Sequence, residues 1–229
     1  LIFEGEYLNG KRNGKGKEYQ EQSGNLIYEG EYLNGKWNGK GKEYYYHFNG
    51  DSELIFEGEY LNGKRWNGKG KEYYYNSDKL EFEGEYLNGK KNGKMKEYFC
   101  CKLKFECECL NGKKNGEGKE YNEDGKLIYE GKYLNGERNG KGKEFYENGK
   151  LKFEGEYLKG KKWTGKGYDV SSNIVYELKN ENGKIKEYYY DGYLYFEGEY
   201  LNGKSSGKGK EYNKDGKLNF EGEFLNGLR

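Results

Sequence analysis

One motif recurs along almost the whole chain of 229 residues. It reads F/Y-E-G-E-Y-L-N-G-K-x-N-G-K-G-K-E-Y and is complete at Phe3–Tyr19. Copies begin at residues 3, 28, 56, 82, 105, 129, 153, 176, 196 and 220; the copy at 176 is degenerate and the copy at 220 is partial. Spacings of 20 to 28 residues exclude collagen and heptad coiled coils. They predict a single repeat array over residues 1–229.

Each copy has the pattern of a β-hairpin. Apolar and polar residues alternate in Phe3–Leu8, and no period of 3.6 residues favours a helix. The Asn-Gly pairs at 9–10 and 13–14 tolerate positive φ, so we expect a loop there and a second strand over Lys15–Tyr19. The predicted fold is all-β: an elongated, single-layer antiparallel meander of about ten β-hairpin repeats, open, twisted and groove-forming.

The charges predict the register of each hairpin. If Glu4 faces Lys17, then Glu6 faces Lys15, and opposite charges pair across the two strands. Such pairing neutralises one face of the sheet, and the chain has 41 basic and 40 acidic residues for a formal net charge of +1. The sequence therefore predicts one self-neutralising face of lysine and glutamate ladders.

The opposite face receives the two aromatic residues and the glycines of each copy. Because glycine permits bending, we expect this face to curl into an aromatic groove that serves for binding or for packing. The predicted groove residues are Phe3, Tyr7, Tyr28, Tyr32, Phe56, Tyr60, Phe82, Tyr86, Tyr129, Tyr133, Phe153, Tyr157, Phe196 and Tyr200.

The stretch Tyr28-Glu29-Gly30-Glu31-Tyr32, followed by Gly35, Gly39 and Gly41, resembles the membrane occupation and recognition nexus (MORN) repeat. The resemblance covers nearly the whole chain. It implies an elongated single-layer β-sheet used for scaffolding, for dimerisation and in some cases for lipid contact. The copy at Tyr176 lacks its glycine and about four loop residues, so we expect a kink or bulge there.

Three motifs suggest catalysis or nucleotide binding, and each has a simpler interpretation. Residues 198–205 fit the phosphate-binding pattern G-x-x-x-x-G-K-S/T, but a strand is predicted to follow where that motif needs a helix. His47, the one histidine, has no positioned nucleophile nearby in sequence. Carboxylates that face lysines stay ionised and are poor general acids. We therefore predict no enzymatic activity and no cofactor.

Four cysteines lie close together in the sequence: Cys100, Cys101, Cys107 and Cys109. Their spacing differs from paired zinc knuckles, so we expect free thiols, with a structural zinc site and a disulfide as alternatives. Free thiols favour a reducing, cytoplasmic location.

The predicted function is a non-enzymatic scaffold that presents the aromatic groove to other proteins or to a second copy in a homodimer. The alternative is peripheral binding to acidic phospholipid, at a membrane or beside the cytoskeleton. Nucleic acid is not expected, because carboxylates along the lysine strands would repel phosphates. The residues predicted to face lipid are those of the basic loops, Lys11, Arg12, Lys64, Arg65, Lys90, Lys91, Lys113 and Lys114.

Overall fold

The structure is a computed structural model that describes residues 2–75, 77–189 and 191–229. Over these residues the chain is all-β, as predicted, with antiparallel hairpins and no helix. The chain divides into two compact units, residues 1–113 (unit 1) and residues 114–229 (unit 2).

Unit 1 is a meander in which each strand pairs antiparallel with the next. Its strands are β1 (Phe3–Leu8), β2 (Lys11–Tyr19), β3 (Leu26–Leu33), β4 (Lys36–Tyr46), β5 (Ser52–Leu61), β6 (Lys64–Tyr73), β7 (Leu80–Leu87), β8 (Lys90–Phe99) and β9 (Lys102–Leu110).

Unit 2 contains two runs of paired strands. The first run comprises β10 (Lys113–Tyr121, of which Lys113 is counted in unit 1), β11 (Leu127–Leu134), β12 (Glu137–Phe145), β13 (Leu151–Leu158), β14 (Lys161–Tyr168) and β15 (Ile174–Leu178). The second is a four-stranded sheet of β16 (Gly183–Tyr188), β17 (Leu194–Leu201), β18 (Lys204–Tyr212) and β19 (Leu218–Phe224). One isolated bridge, Lys179 to Asn182, lies between β15 and β16. The irregularity expected near Tyr176 is therefore an interruption of the sheet.

The predicted pairing of opposite charges is correct in the half of the hairpin away from the turn and wrong in the half next to the turn. Glu4 faces Lys17, as predicted. Glu6 does not face Lys15, because the register shifts just beyond Gly5. Gly14, with φ +78°, lies in β2 at this bulge and not in a loop.

The loop at the tip of the hairpin is shorter than predicted. β1 ends at Leu8 and β2 begins at Lys11, so only Asn9 and Gly10 form the turn. Their φ angles of +50° and +75° suit the two-residue turn that matches strand twist. Because the strand starts early, Arg12 faces Tyr7 and belongs to the sheet.

The core of each hairpin is an aromatic ring laid over a pair of glycines. A Cβ atom on Gly41 would lie 2.6 Å from ring carbons of Tyr28, and one on Gly30 would lie 2.6 Å from the Cα of Gly41. Tyr28 is fully buried and packs edge-on against Tyr32 and Tyr60, with ring centroids 5.4 and 5.1 Å apart. Glycine is needed here because the ring occupies the space of any larger side chain.

Candidate interaction surfaces

The predicted groove residues form a packed layer and not an open groove. Tyr7 is 61% exposed, and Phe3, Tyr86 and Tyr200 are partly buried. The other ten residues are buried: Tyr28, Tyr32, Phe56, Tyr60, Phe82, Tyr129, Tyr133, Phe153, Tyr157 and Phe196. Of the two predicted roles, packing accounts for their positions, because neighbouring rings cover one another. Ligand binding by this face stays a prediction.

A row of carboxylates also lies on the aromatic face. Glu18 is paired with both Phe3 and Tyr28 across its two neighbouring strands. The equivalent residues, which we call the inward carboxylates, are Glu18, Glu43, Glu72, Glu97, Glu120, Glu144, Glu187 and Glu211. Sequence reasoning missed them because it counted all glutamates as part of the charged face. The signal was available, since a residue two places after Gly16 must share its face.

Most inward carboxylates accept hydrogen bonds from the following hairpin. At Glu43 the donors are Tyr60 Oη at 3.0 Å and Arg65 Nε at 2.7 Å. The Arg65 guanidinium also lies 5.0 Å from the ring centroid of Phe56. The donors stabilise the carboxylate where burial alone would destabilise it. Burial thus opposes ionisation of Glu120, yet its basic and tyrosine donors hold its pKa below the usual value.

Three of the basic residues predicted to face lipid are therefore placed wrongly. Arg12 lies 2.8 Å from Glu18, Arg65 2.7 Å from Glu43, and Lys91 also pairs with an inward carboxylate. They lie on the aromatic face because the strand, and not the loop, contains them. Of the other five, Lys114 is partly buried and four are exposed: Lys11, Lys64, Lys90 and Lys113.

Exposed leucines and lysines alternate along the hairpin tips of unit 1. The last pair of the first hairpin is Leu8 with Lys11, and the next hairpin repeats it with Leu33 and Lys36. The leucines are 41% to 58% exposed. We call this set the tip row: Leu8, Lys11, Leu33, Lys36, Leu61, Lys64, Leu87, Lys90, Leu110 and Lys113. Among the residues that the structure describes, none of these lysines forms an ion pair.

Backbone hydrogen bonds tie each tip to the one before it. The amide of Gly35 donates to the carbonyl of Arg12 at 2.8 Å, and this bond recurs along unit 1. The amide of Asn88 donates to the Asn67 side chain at 2.9 Å. The second asparagine of the motif therefore fixes the following turn, so the tip row is held at a regular spacing.

The concave surface found in unit 2 lies on the charged face. A hollow of about 690 Å³ is lined by lysines and glutamates of β16–β19, by Gly198, Gly209 and Gly222, and by the apolar residues Val175 and Ile185. Its walls are paired ladders, for example Lys186 with Glu197 at 3.6 Å. Lysines and glutamates of both signs thus line this hollow, and the groove predicted on the aromatic face stays a prediction.

The cysteines are divided between two environments. Cys100 and Cys101 are exposed in the turn between β8 and β9, whereas Cys107 and Cys109 are buried in β9. All four are free. Among the described residues, no group of three or more metal-binding side chains comes together, so the zinc alternative has no assembled ligand set.

His47 links two successive connections of unit 1. Its Nε2 lies 2.9 Å from Glu53 and its Nδ1 lies 3.2 Å from Asp78. The hydrogen bond to Glu53 raises the pKa of His47; burial opposes this, and Asp78 reinforces it. Burial opposes ionisation of Glu53 too, but Lys71, Tyr73 and His47 lower its pKa to about 2. The imidazole therefore connects the carboxylates of Glu53 and Asp78.

The nucleotide-binding pattern at residues 198–205 lies on an ordinary hairpin. β17 ends at Leu201 and β18 begins at Lys204, so a strand follows the motif, as predicted. A phosphate-binding loop requires a helix N-terminus at that point.

A sequence model of the MORN repeat matches residues 3–21, 28–46, 56–79, 82–94, 110–126, 129–150 and 196–217. These seven segments make up more than half of the chain. The chain belongs to the MORN repeat family. MORN repeats generally mediate interactions with proteins and membranes. The region between residues 150 and 196, which contains the interrupted sheet, falls outside the matched MORN segments. Comparison with curated proteins finds no match. Over the described residues, no helix has the length and apolar character to cross a membrane.

Proposed function

We propose that this MORN array is a non-enzymatic scaffold that binds other proteins through its hairpin tips. The observation that carries the proposal is the exposure of the tip leucines, such as Leu8 at 58% and Leu33 at 49%. The aromatic face is packed shut and the charged face is largely paired with itself. The tips therefore offer a row of exposed apolar residues to a partner, and contiguous exposed apolar residues are typical of interaction sites.

A comparison of captured proteins tests this function. The tip variant Leu33→Ser/Leu61→Ser/Leu87→Ser is matched to the control Leu54→Ser/Leu218→Ser, whose leucines are exposed but lie at the other ends of strands. Melting temperatures first establish that both variants fold. We expect proteins captured from extract by the unaltered chain and the control to be lost with the tip variant. Capture of the same proteins by the tip variant would overturn the proposal.

A second candidate function is peripheral binding to acidic phospholipid. It is favoured by the exposed tip lysines, which lie beside leucines and make no ion pair among the described residues. Each such lysine contributes about 1 kcal/mol near an anionic surface, so Lys36→Gln/Lys64→Gln/Lys90→Gln should weaken vesicle binding roughly a hundredfold. Liposome flotation at low and high salt measures this. Flotation that is independent of acidic lipid, or unchanged in the variant, rejects the lipid function.

The proposal places the protein in a reducing compartment such as the cytoplasm, peripheral to a membrane or the cytoskeleton. The exposed thiols of Cys100 and Cys101 support this location, because exposed thiols persist where the environment is reducing. A second copy of the chain is one of the proteins that the scaffold is proposed to bind. Light scattering of the purified chain and its tip variant tests that homodimer.

A further inference from the structure

The tip row of unit 1 has a regular period that restricts what can bind along it. A leucine recurs on every second strand, with a lysine on the strand between, as in Leu61 paired with Lys64 and Leu87 paired with Lys90. The tips are fixed to one another by backbone bonds, for example Gly63 to Trp37 at 2.8 Å and Gly89 to Trp66 at 2.9 Å. The spacing of the leucines and lysines in the tip row is therefore fixed before a partner binds, and the partner must match this spacing.

The spacing can be compared with the repeats of the common peptide conformations. Strands about 4.8 Å apart place the leucines about 9.6 Å apart. An extended strand repeats its faces about every 6.6 Å and does not match. Seven residues of α-helix rise about 10.5 Å, which accumulates an error of about 4 Å over the four intervals between five leucines. One turn of polyproline II rises about 9.3 Å, which accumulates an error of only about 1 Å.

The lysines of the tip row favour the same conformation. They supply unpaired positive charges, so the partner should carry carboxylates. They are also hydrogen-bond donors, and polyproline II has carbonyl groups with no internal hydrogen bonds to accept from them. The carbonyls of an α-helix are already occupied, except at its C-terminus.

We propose, as an extension that rests on the proposed function, that the tip row of unit 1 binds an acidic protein segment in the polyproline II conformation. The segment has an apolar residue at every third position, opposite the leucines, and carboxylates between them, opposite the lysines. Each contact is weak alone, and the repeats bind together through high effective concentration.

Unit 2 has the same hairpin tips but lacks a continuous row, so it provides an internal control. Leu134 faces Glu137, which reverses the charge at the first tip. At the shortened hairpin Leu178 is buried, so no leucine is presented between Leu158 and Leu201.

The test uses a fluorescent peptide of five Leu-Pro-Glu triplets and the full chain, measured by fluorescence anisotropy. We expect Leu33→Ser/Leu61→Ser/Leu87→Ser to weaken binding at least about tenfold, and the unit 2 control Leu134→Ser/Leu158→Ser/Leu201→Ser to change it less than about twofold. A helical peptide with the same numbers of leucine and glutamate residues, with its leucines at heptad spacing, should bind more weakly.

Three outcomes overturn the inference: no peptide binding, tighter binding of the helical peptide, or equal loss in both triple variants. Acidic vesicles tested in parallel identify lipid as the occupant if they bind where the peptide does not. Loss of captured proteins by the tip variant, without peptide binding, rejects this inference and leaves the scaffold function standing.

Discussion

The hairpin β8–β9 in unit 1 and the segment β15–β16 in unit 2 both replace glycine by bulky residues beneath the aromatic layer. In the first, Met95 faces Cys107, and pairing continues from Gly93 to Phe99. In the second, Leu178 and Ile185 occupy the two glycine positions, and among the described residues the two strands share only the isolated bridge from Lys179 to Asn182. The same kind of substitution is thus tolerated in one place and ends the sheet in the other.

The difference indicates that the facing pair matters more than the single residue. Leu178 pairs with Gly165 on its other side, and Ile185 pairs with Gly198, both without loss of the ladder. A bulky residue therefore fits against glycine. Met95 is unbranched and Cys107 is small, so together they fit as well. Leu178 and Ile185 are both bulky and Ile185 is β-branched, so facing each other they would leave too little space for the backbones to approach.

The largest effect is expected where both facing residues are glycine. Gly41→Val should lower the free energy of unfolding by about 3 kcal/mol, because the new side chain displaces the Tyr28 ring. Urea denaturation measures this, with Lys36→Gln at the exposed tip as the control, for which we expect less than about 0.5 kcal/mol. Equal losses in the two variants would contradict the assignment of faces.

The next effect concerns the charges packed near the interrupted sheet. Glu144 accepts from Arg138 at 2.9 Å and Lys162 at 3.0 Å, while Lys162 is 3.9 Å from Glu187. Burial opposes ionisation of Glu144, yet the two cations keep its pKa below the usual value. Glu144→Gln should cost about 2 kcal/mol, since Lys162 loses its near partner.

The control for this prediction is Glu18→Gln in unit 1, where the Arg12 side chain is 25% exposed and retains water. We expect a loss of about 1 kcal/mol there. Thermal unfolding of both variants measures the difference. A larger loss at Glu18 than at Glu144 would show that the interrupted region does not depend on its buried charges.

A smaller loss of stability is expected when the facing pair Met95 and Cys107 in unit 1 is made bulkier, like the residues at the interruption between β15 and β16. Cys107→Ile places a β-branched residue against Met95 and should cost about 1.5 kcal/mol while opening the β8–β9 ladder. Amide hydrogen exchange at Met95 and Glu97, which pair with β9, measures the opening. Cys107→Ala is the matched control and should leave exchange at these amides slow. Unchanged exchange in Cys107→Ile would mean that facing bulk does not end the ladder.

The smallest effect is a pH dependence that belongs to unit 1 alone, because His47 is the one histidine of the chain. Its folded-state pKa is raised, so its stabilisation is complete below the unfolded pKa of about 6.5 and is lost as pH rises through the folded pKa. The melting temperature should exceed that of His47→Gln at about pH 5.5 and match it near pH 9.

Asp78→Asn, which removes one of the two carboxylates beside the imidazole, should reduce this pH dependence without abolishing it. If the difference in melting temperature between the unaltered chain and His47→Gln stays constant with pH, the protonated imidazole does not stabilise the fold through its two carboxylates.

The sequence predicted the fold because glycine and aromatic residues recur at fixed positions, and one hairpin cannot cover its own aromatic face. The pairing of Glu4 with Lys17 followed from charge alone. The bulge could not be predicted, since Gly14 follows Asn13 as Gly10 follows Asn9, and positive φ serves a bulge as well as a turn. That error moved Arg12 into a loop and concealed its contact with Glu18.

The inward carboxylates have a consequence for how such a chain can change in length. Glu43 receives its donors from the hairpin that follows, and that hairpin brings its own carboxylate, Glu72, for the next one. A hairpin of this kind thus carries both halves of the same junction, whereas β14 has Gly167 at the carboxylate position. When a whole hairpin is duplicated or deleted, each carboxylate still meets donors from the hairpin that follows it. A deletion that removes only part of a hairpin instead leaves a buried carboxylate without its donors. Evolution can therefore change the number of repeats in this protein in steps of one hairpin.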